Sequence, residues 1–289
     1  MRDYVIATDS CCDFDENLIR ELELTVIPLS VQLGKEHFRN CAGEMPSSSE
    51  FYARLRRGEP AQTSAPNVEA FKDAFRPFLE KGQDVLYLGF SSALSATCQN
   101  AAMAAQELAE EFPQGKVVTI DTLCASMGQG MLVDLTVQEK RRGKTLEEAA
   151  AFVQETIPHL CHWFTVGDLS QLRRGGRLSA GKAIVGNLLH IKPVLHVDDQ
   201  GRLVPMEQVK GRKKSIEALL RHMEETVEDP ASQRVYISHG DCQQEAEALA
   251  VAVQTRLGVA SVTVGDVGPV IGAHSGAGTL ALFFLGKAR

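Results

Sequence analysis

Short runs of strand-forming residues alternate with longer helix-patterned segments through the first half of the chain. That alternation admits few architectures, because strands joined by helical crossovers form a mostly parallel sheet covered by helices. Strands are expected over residues 4–7, 26–31, 85–90 and 117–120, with Pro28 pushing the second toward an edge or a bulge. Helices are expected over 49–57, 68–81 and 94–112, the last rich enough in alanine to approach a sheet closely. Thr145 followed three residues later by Glu148 is a capping box that opens a further helix running to about residue 158. The second half reads differently. Strands over 164–166 and 194–197 precede the turn Asp198-Asp199-Gln200-Gly201 and a returning strand over 203–206, a hairpin that makes this sheet mixed. Helices over 215–226 and 243–257 and strands over 235–238 and 262–264 complete an α+β pattern. At about 100–200 residues per domain, 289 residues suit two. The expected division is an α/β domain over 1–160 and an α+β domain over 161–289, with a ligand at their interface.

Composition narrows the function. Thirty Lys and Arg against 37 Asp and Glu give a net charge of −7, the wrong sign for a dedicated nucleic-acid binder. Seven cysteines, two of them adjacent at Cys11 and Cys12, suit a reducing cytoplasm better than a disulfide framework. The N-terminal apolar run is too short for a signal peptide, and no run is long enough to span a bilayer. The G-x-S-x-G, H-E-x-x-H, C-x-x-C and strand-linked G-x-G-x-x-G patterns do not occur, so the common hydrolase, zinc and dinucleotide signatures fail and no metal or cofactor is expected.

Three polar clusters stand at expected strand-to-helix transitions: Thr8-Asp9-Ser10, Thr63-Ser64-Ala65-Pro66 and Ser91-Ser92-Ala93-Leu94-Ser95-Ala96-Thr97. In open α/β sheets such transitions line the ligand crevice, and backbone amides with nearby hydroxyls suit a carboxylate or a phosphate. Each cluster could equally cap its helix. The segment from Gly268 to Gly278 surrounds His274 with glycines, which let backbone approach a ligand or serve turns. Leu172-Arg173-Arg174-Gly175-Gly176-Arg177-Leu178-Ser179 flanks a Gly-Gly bend with guanidinium groups, a layout for an anion or for a plain basic turn. Gly176 to Lys182 also matches P-loop spacing, but Ala183 stands where the magnesium-binding hydroxyl belongs.

At these residues, and at Val118-Thr119-Ile120-Asp121-Thr122 and Gly186-Asn187-Leu188-Leu189-His190-Ile191-Lys192-Pro193, the chain resembles the DegV family of bacterial fatty-acid-binding proteins. The resemblance spans nearly the whole sequence. It implies a two-domain fold holding one long-chain fatty acid such as palmitate or oleate, its tail in an apolar tunnel. It implies that Thr63, Ser95 and His274 hold the carboxylate, with Ser64 and Ser92 as further head-group contacts. It gives Arg177 and Lys210 a place near a separate kinase subunit or an acyl-phosphate head group, although Lys210 stands where arginine is expected. One departure is Ala96, where the family pattern Leu-Ser-Gly-Thr has glycine; a requirement for positive φ there would strain alanine. The expected protein is therefore a cytoplasmic lipid carrier, not an enzyme, that presents its ligand to an ATP-dependent kinase. The alternatives are a binder of phosphorylated small molecules and a Ser/His acyl hydrolase built on Ser95 or Ser92 with His274.

Overall fold

The computed structural model describes residues 2–178 and 190–289. Ser179, the end of the P-loop-like spacing and the segment from Gly186 to Leu189 lie outside the described residues. The chain runs from β1 (Tyr4–Asp9) through α1 (Glu16–Glu21), β2 (Thr25–Ile27), β3 (Ser30–Leu33) and β4 (Glu36–Arg39). It continues through α2 (Ser48–Arg56), β5 (Ala61–Ser64), α3 (Val68–Glu80), β6 (Asp84–Gly89), α4 (Thr97–Glu111), β7 (Val117–Asp121) and α5 (Met127–Arg141). After α6 (Leu146–Thr156) come β8 (Leu160–Thr165), α7 (Ser170–Arg174), β9 (Ile191–Val197), β10 (Leu203–Lys210) and α8 (Arg212–Thr226). The remainder is β11 (Arg234–His239), α9 (Gln243–Leu257), β12 (Ser261–Asp266), α10 (Pro269–Ser275) and β13 (Leu280–Leu285).

Strands β2-β1-β6-β7 form a wholly parallel sheet, and β10-β9-β8-β13-β11-β12 a mixed sheet in which only β11 and β12 pair in parallel. The fold is thus α/β with one parallel and one mixed sheet. A third sheet, β4-β3-β5, departs from expectation: the strand expected over 26–31 is two strands in two different sheets. Pro28 has no amide to extend a ladder, so β2 stops at Ile27 and β3 starts afresh at Ser30. Gly34, at φ +60, takes the first position of the two-residue turn into β4, where such a hairpin calls for glycine.

Helix α5 was not legible in the sequence, and it sits between the sheets. It is buried on nearly every face, so it lacks the polar stripe that marks a surface helix. A Cβ at Gly128 would stand 2.2 Å from His162 Nε2, and one at Gly130 would stand 2.8 Å from the Cys12 carbonyl, so both glycines permit close approach. Gln129 reaches β1, donating to Thr8 Oγ1 at 2.8 Å, while Asp134 accepts from Tyr236 of β11 at 2.6 Å. The capping box at Thr145 is present as expected, each partner bonding the other's backbone. The turn after β9 reaches across as well: Ser91 Oγ donates to the Gly201 carbonyl at 2.9 Å.

Candidate functional site

The Gly268–Gly278 segment is not a string of turns but a short helix, α10, between Gly268 at its N-cap and Gly276 at φ +80. Gly272 faces α2, where a Cβ would meet the Tyr52 hydroxyl at 2.5 Å. Tyr52 in turn donates to the Val267 carbonyl at 2.7 Å and fixes the entry to α10. The helix carries His274 to β5, where its Nε2 lies 2.8 Å from Thr63 Oγ1. Alternation along β5 decides which hydroxyl arrives there: Thr63 turns inward and Ser64 outward into solvent. The bend after α7 packs on the other side of the ring, and Gly175 is glycine for a local reason. A Cβ there would stand 2.4 Å from His274 Nδ1.

Thr63, His274, Ser95 and Arg177 line one cavity with Leu29, Phe90, Leu94, Phe164, Leu172, Val197, Leu203, Val270, Ile271 and Phe283. The space within the cavity, its open mouth included, is about 850 Å³. Its lining is mostly apolar. Burial is graded: Thr63, Ser95, Arg177 and His274 are half-buried, while Ser126, His162, Ser238 and Thr279, which also line it, are buried. The half-buried polar groups mark the more open part of the cavity, and a second set of polar groups lies in its buried part.

Arg177 lies inside this arrangement. Its Nε donates to the Leu94 carbonyl at 3.1 Å and its Nη1 to the Gly175 carbonyl at 2.5 Å, which holds a fixed positive charge among the half-buried polar groups. Burial, and secondarily Arg177, pushes the His274 imidazole down to about 4, so the ring is neutral at pH 7. Ser95 accepts from the Thr97 amide at 3.3 Å and shares a 2.8 Å hydrogen bond with the Thr97 hydroxyl, supplying the cap that Ala96 cannot. Ala96 sits at φ −74, so alanine is unstrained at that position.

The other nominated residues lie elsewhere. Ser92 is exposed and its amide is taken by Asp121 Oδ1 at 3.2 Å, while Ser64 faces solvent; neither lines the cavity. Lys210 is an exposed residue at the end of β10, paired with Ile191. Thr8 and Asp9 are buried structural groups. Sequence reasoning missed Ser126, Ser238 and Thr279, isolated hydroxyls that no motif groups together, and passed over Ser275 within the Gly268–Gly278 segment. Ser275 Oγ is buried without a hydrogen-bond partner on the residue next to His274. Among the described residues no cluster of His, Cys, Asp and Glu could hold a metal ion, and no helix is long and apolar enough to cross a membrane.

Fold and site together define an α/β binding protein that wraps a mostly apolar cavity and places a few hydrogen-bonding groups and one cation among its half-buried lining residues. The DegV family model, described as "Uncharacterised protein, DegV family", matches residues 3–287, and the chain belongs to that family. A DegV domain-containing protein of Clostridium perfringens is 39% identical over 290 residues, covering 100% of this chain and 99% of the relative. A solved Thermus thermophilus structure, described as fatty acid binding of a DegV family protein, is similar at TM-score 0.90 and 32% identity. The match covers 99% of this chain and 100% of that one. A DegV lipid-binding protein from Thermotoga maritima matches at TM-score 0.86 and 28% identity over 99% of both chains.

Proposed function

We propose that this protein is a carrier that holds one long-chain fatty acid without transforming it. On this reading the ligand lies between halves 1–160 and 161–289, with the carboxylate among Thr63, Ser95, His274 and Arg177. The observation that carries it is a mostly apolar cavity with a Thr63–His274 hydrogen bond and an arginine among its half-buried lining residues. An ionised carboxylate leaving water needs several charge-assisted hydrogen bonds. The tail supplies the affinity, since about fourteen methylenes at about 0.8 kcal/mol each offer roughly 11 kcal/mol gross before ordering costs. The fatty-acid binding described for the Thermus relative supports the same reading. No cofactor is required.

We place Arg177 at the head group, since it lines the cavity beside His274. Exposed Lys210 is left as the contact for a separate ATP-dependent kinase subunit to which a cytoplasmic carrier would present its carboxylate. The pairings favour binding over acyl hydrolysis: Ser95 is bonded to Thr97 and His274 to Thr63, so each is engaged away from a nucleophile–base pair. Arg177 also leaves phosphorylated small molecules as a competing ligand class.

Native mass spectrometry of the purified chain, followed by organic extraction, tests the proposal. The expected result is one long-chain fatty acid per chain, depleted in Ser95→Ala. A chain that is empty and takes up neither palmitate nor oleate overturns it, and competition by a phosphosugar but not by oleate would transfer the site to the phosphate class.

A further inference from the structure

The mixed sheet ends in two unlike edges. At one end β10 carries Pro205, a break in register between Pro205 and Glu207, and the charged Glu207 and Lys210. Proline, a bulge and charges are the usual means by which an edge strand refuses a further strand. At the other end β12 reads Ser-Val-Thr-Val-Gly-Asp, with no proline, no lysine and no charge before Asp266. It pairs with β11 in unbroken register from Ser261 to Asp266, and among the described residues no strand lies beyond it.

A cleft runs along that open edge. Thr263, Val264, Gly265 and Asp266 all line it, together with residues of α1, β2 and the segment before α2. Successive side chains of a strand point to opposite faces, so a cleft that meets four residues in a row meets the strand's edge and not one of its faces. The neighbours agree: Val264 packs against the core under α9, whereas a Cβ on Gly265 would collide with Met127 of α5. The lining also includes half-buried Leu18, Ile19, Val26 and Met45. Its exposed charges are Asp15, Glu16, Glu247 and Asp266, against one arginine, Arg20, which is bonded to Asn17.

We propose that β12 is a docking edge for an extended segment of another protein, one that alternates apolar with polar residues and carries lysine or arginine. The segment adds as a further strand: its backbone bonds the open side of β12, its apolar residues lie on the apolar lining of the cleft, and its cations face the carboxylates. The acidic residues choose the sign of the partner, but the open edge is what calls for one, because a row of backbone N–H and C=O groups with no strand beyond it is a template for pairing. A second copy of this chain is the wrong occupant, since β12 against β12 would bring the same carboxylates together. The proposal stands independently of the fatty-acid cavity.

Fluorescence anisotropy of the labelled peptide KVTVKVTVK with the full chain tests it. The expected result is saturable one-to-one binding. The same peptide methylated on its backbone nitrogens along both edges keeps its charge and side chains but cannot pair as a strand, and it is expected to bind at least about tenfold more weakly. The peptide EVTVEVTVE is expected not to bind. Asp266→Lys is expected to weaken binding about three- to tenfold, since it removes an attraction and adds a repulsion. Glu155→Lys on α6, outside the cleft, is expected to leave affinity within about twofold. Sedimentation of the chain alone is expected to show a monomer. Equal binding of the methylated peptide, equal loss in the two variants, no saturable binding, or a dimer whose affinity Asp266→Lys alters overturns the proposal.

Discussion

Thr8-Asp9-Ser10 and Thr63-Ser64 look alike in sequence, short polar clusters beside strands, yet they have opposite fates. Asp9 is fully buried and saturated: it accepts from the Cys11 amide at 3.0 Å, the Tyr87 hydroxyl at 2.7 Å and the Phe90 amide at 2.9 Å. Thr8 donates to the Leu88 carbonyl and accepts from Gln129. Thr63 has one partner, His274, contributed by a helix 211 residues away, and it opens onto a cavity. A cluster whose hydrogen bonds close on neighbouring strands and loops holds the fold together. One with spare donors beside an empty volume can serve a ligand.

The sharpest way to break this contrast is at Asp9. Asp9→Ala strands three buried donors, so it is expected to cost about 3 kcal/mol or more of stability, read as a lower midpoint in urea unfolding. A loss under about 1 kcal/mol would show that the network is not structural. At temperatures where the variant stays folded, its ligand stoichiometry is expected to be unchanged.

Thr63→Ala and His274→Ala are expected to behave in the reverse manner. Each removes a head-group partner and weakens fatty-acid binding by about 1–3 kcal/mol, measured by displacement of a fluorescent fatty acid. The melting temperature of the ligand-free chain is expected to hold or rise, because half-buried binding groups are seldom there for stability. Full affinity in both variants would move the head group elsewhere.

The same contrast explains what could be read from the sequence. Strands β1, β6 and β7 and the capping box of α6 were legible because period, strand-forming residues and cap chemistry agree locally. Helix α5 was not, because a helix buried between two sheets shows no amphipathic period and carries Gly128 and Gly130 for packing on distant residues. At the site, the family resemblance assigned Thr63 and His274 to one head group, and the two side chains lie 2.8 Å apart, whereas the residues alone left capping and turns equally open. For Arg177 the resemblance left two places open, a kinase subunit or the acyl-phosphate head group, and the cavity-lining position is the second kind. Its inward placement follows from tertiary hydrogen bonds to Leu94 and Gly175, the first of which no local pattern encodes.

Arg177 offers a finer test. Its charge helps hold His274 at about 4, below the ordinary value of 6.5. Between those values the unfolded chain binds the proton and the folded chain does not, so this group costs the fold stability as pH falls from 6.5 toward 4. Arg177→Ala is expected to move the imidazole titration upward, observed by NMR of the ring, and to soften the acid sensitivity. A bound carboxylate should move it upward as well. An unmoved titration in the variant would mean that burial alone sets the value and that Arg177 does not act on the ring.

Ala96→Gly carries the smallest expected effect. The family pattern has glycine beside the head-group serine, and a glycine kept for positive φ would make alanine costly there. At φ −74 the backbone is one that alanine adopts freely, and Ser95 already provides the hydrogen bond to the Thr97 amide. Restoring glycine should therefore change stability by no more than about 0.5 kcal/mol, since the loss of alanine's backbone restriction is offset by glycine's tolerance at a helix start. Fatty-acid affinity should stay within twofold. A gain of tenfold would mean that the methyl group of Ala96 displaces Ser95 from the carboxylate, and that the half-buried polar part of the cavity is set by the loop before α4 more than by the Thr63–His274 pair.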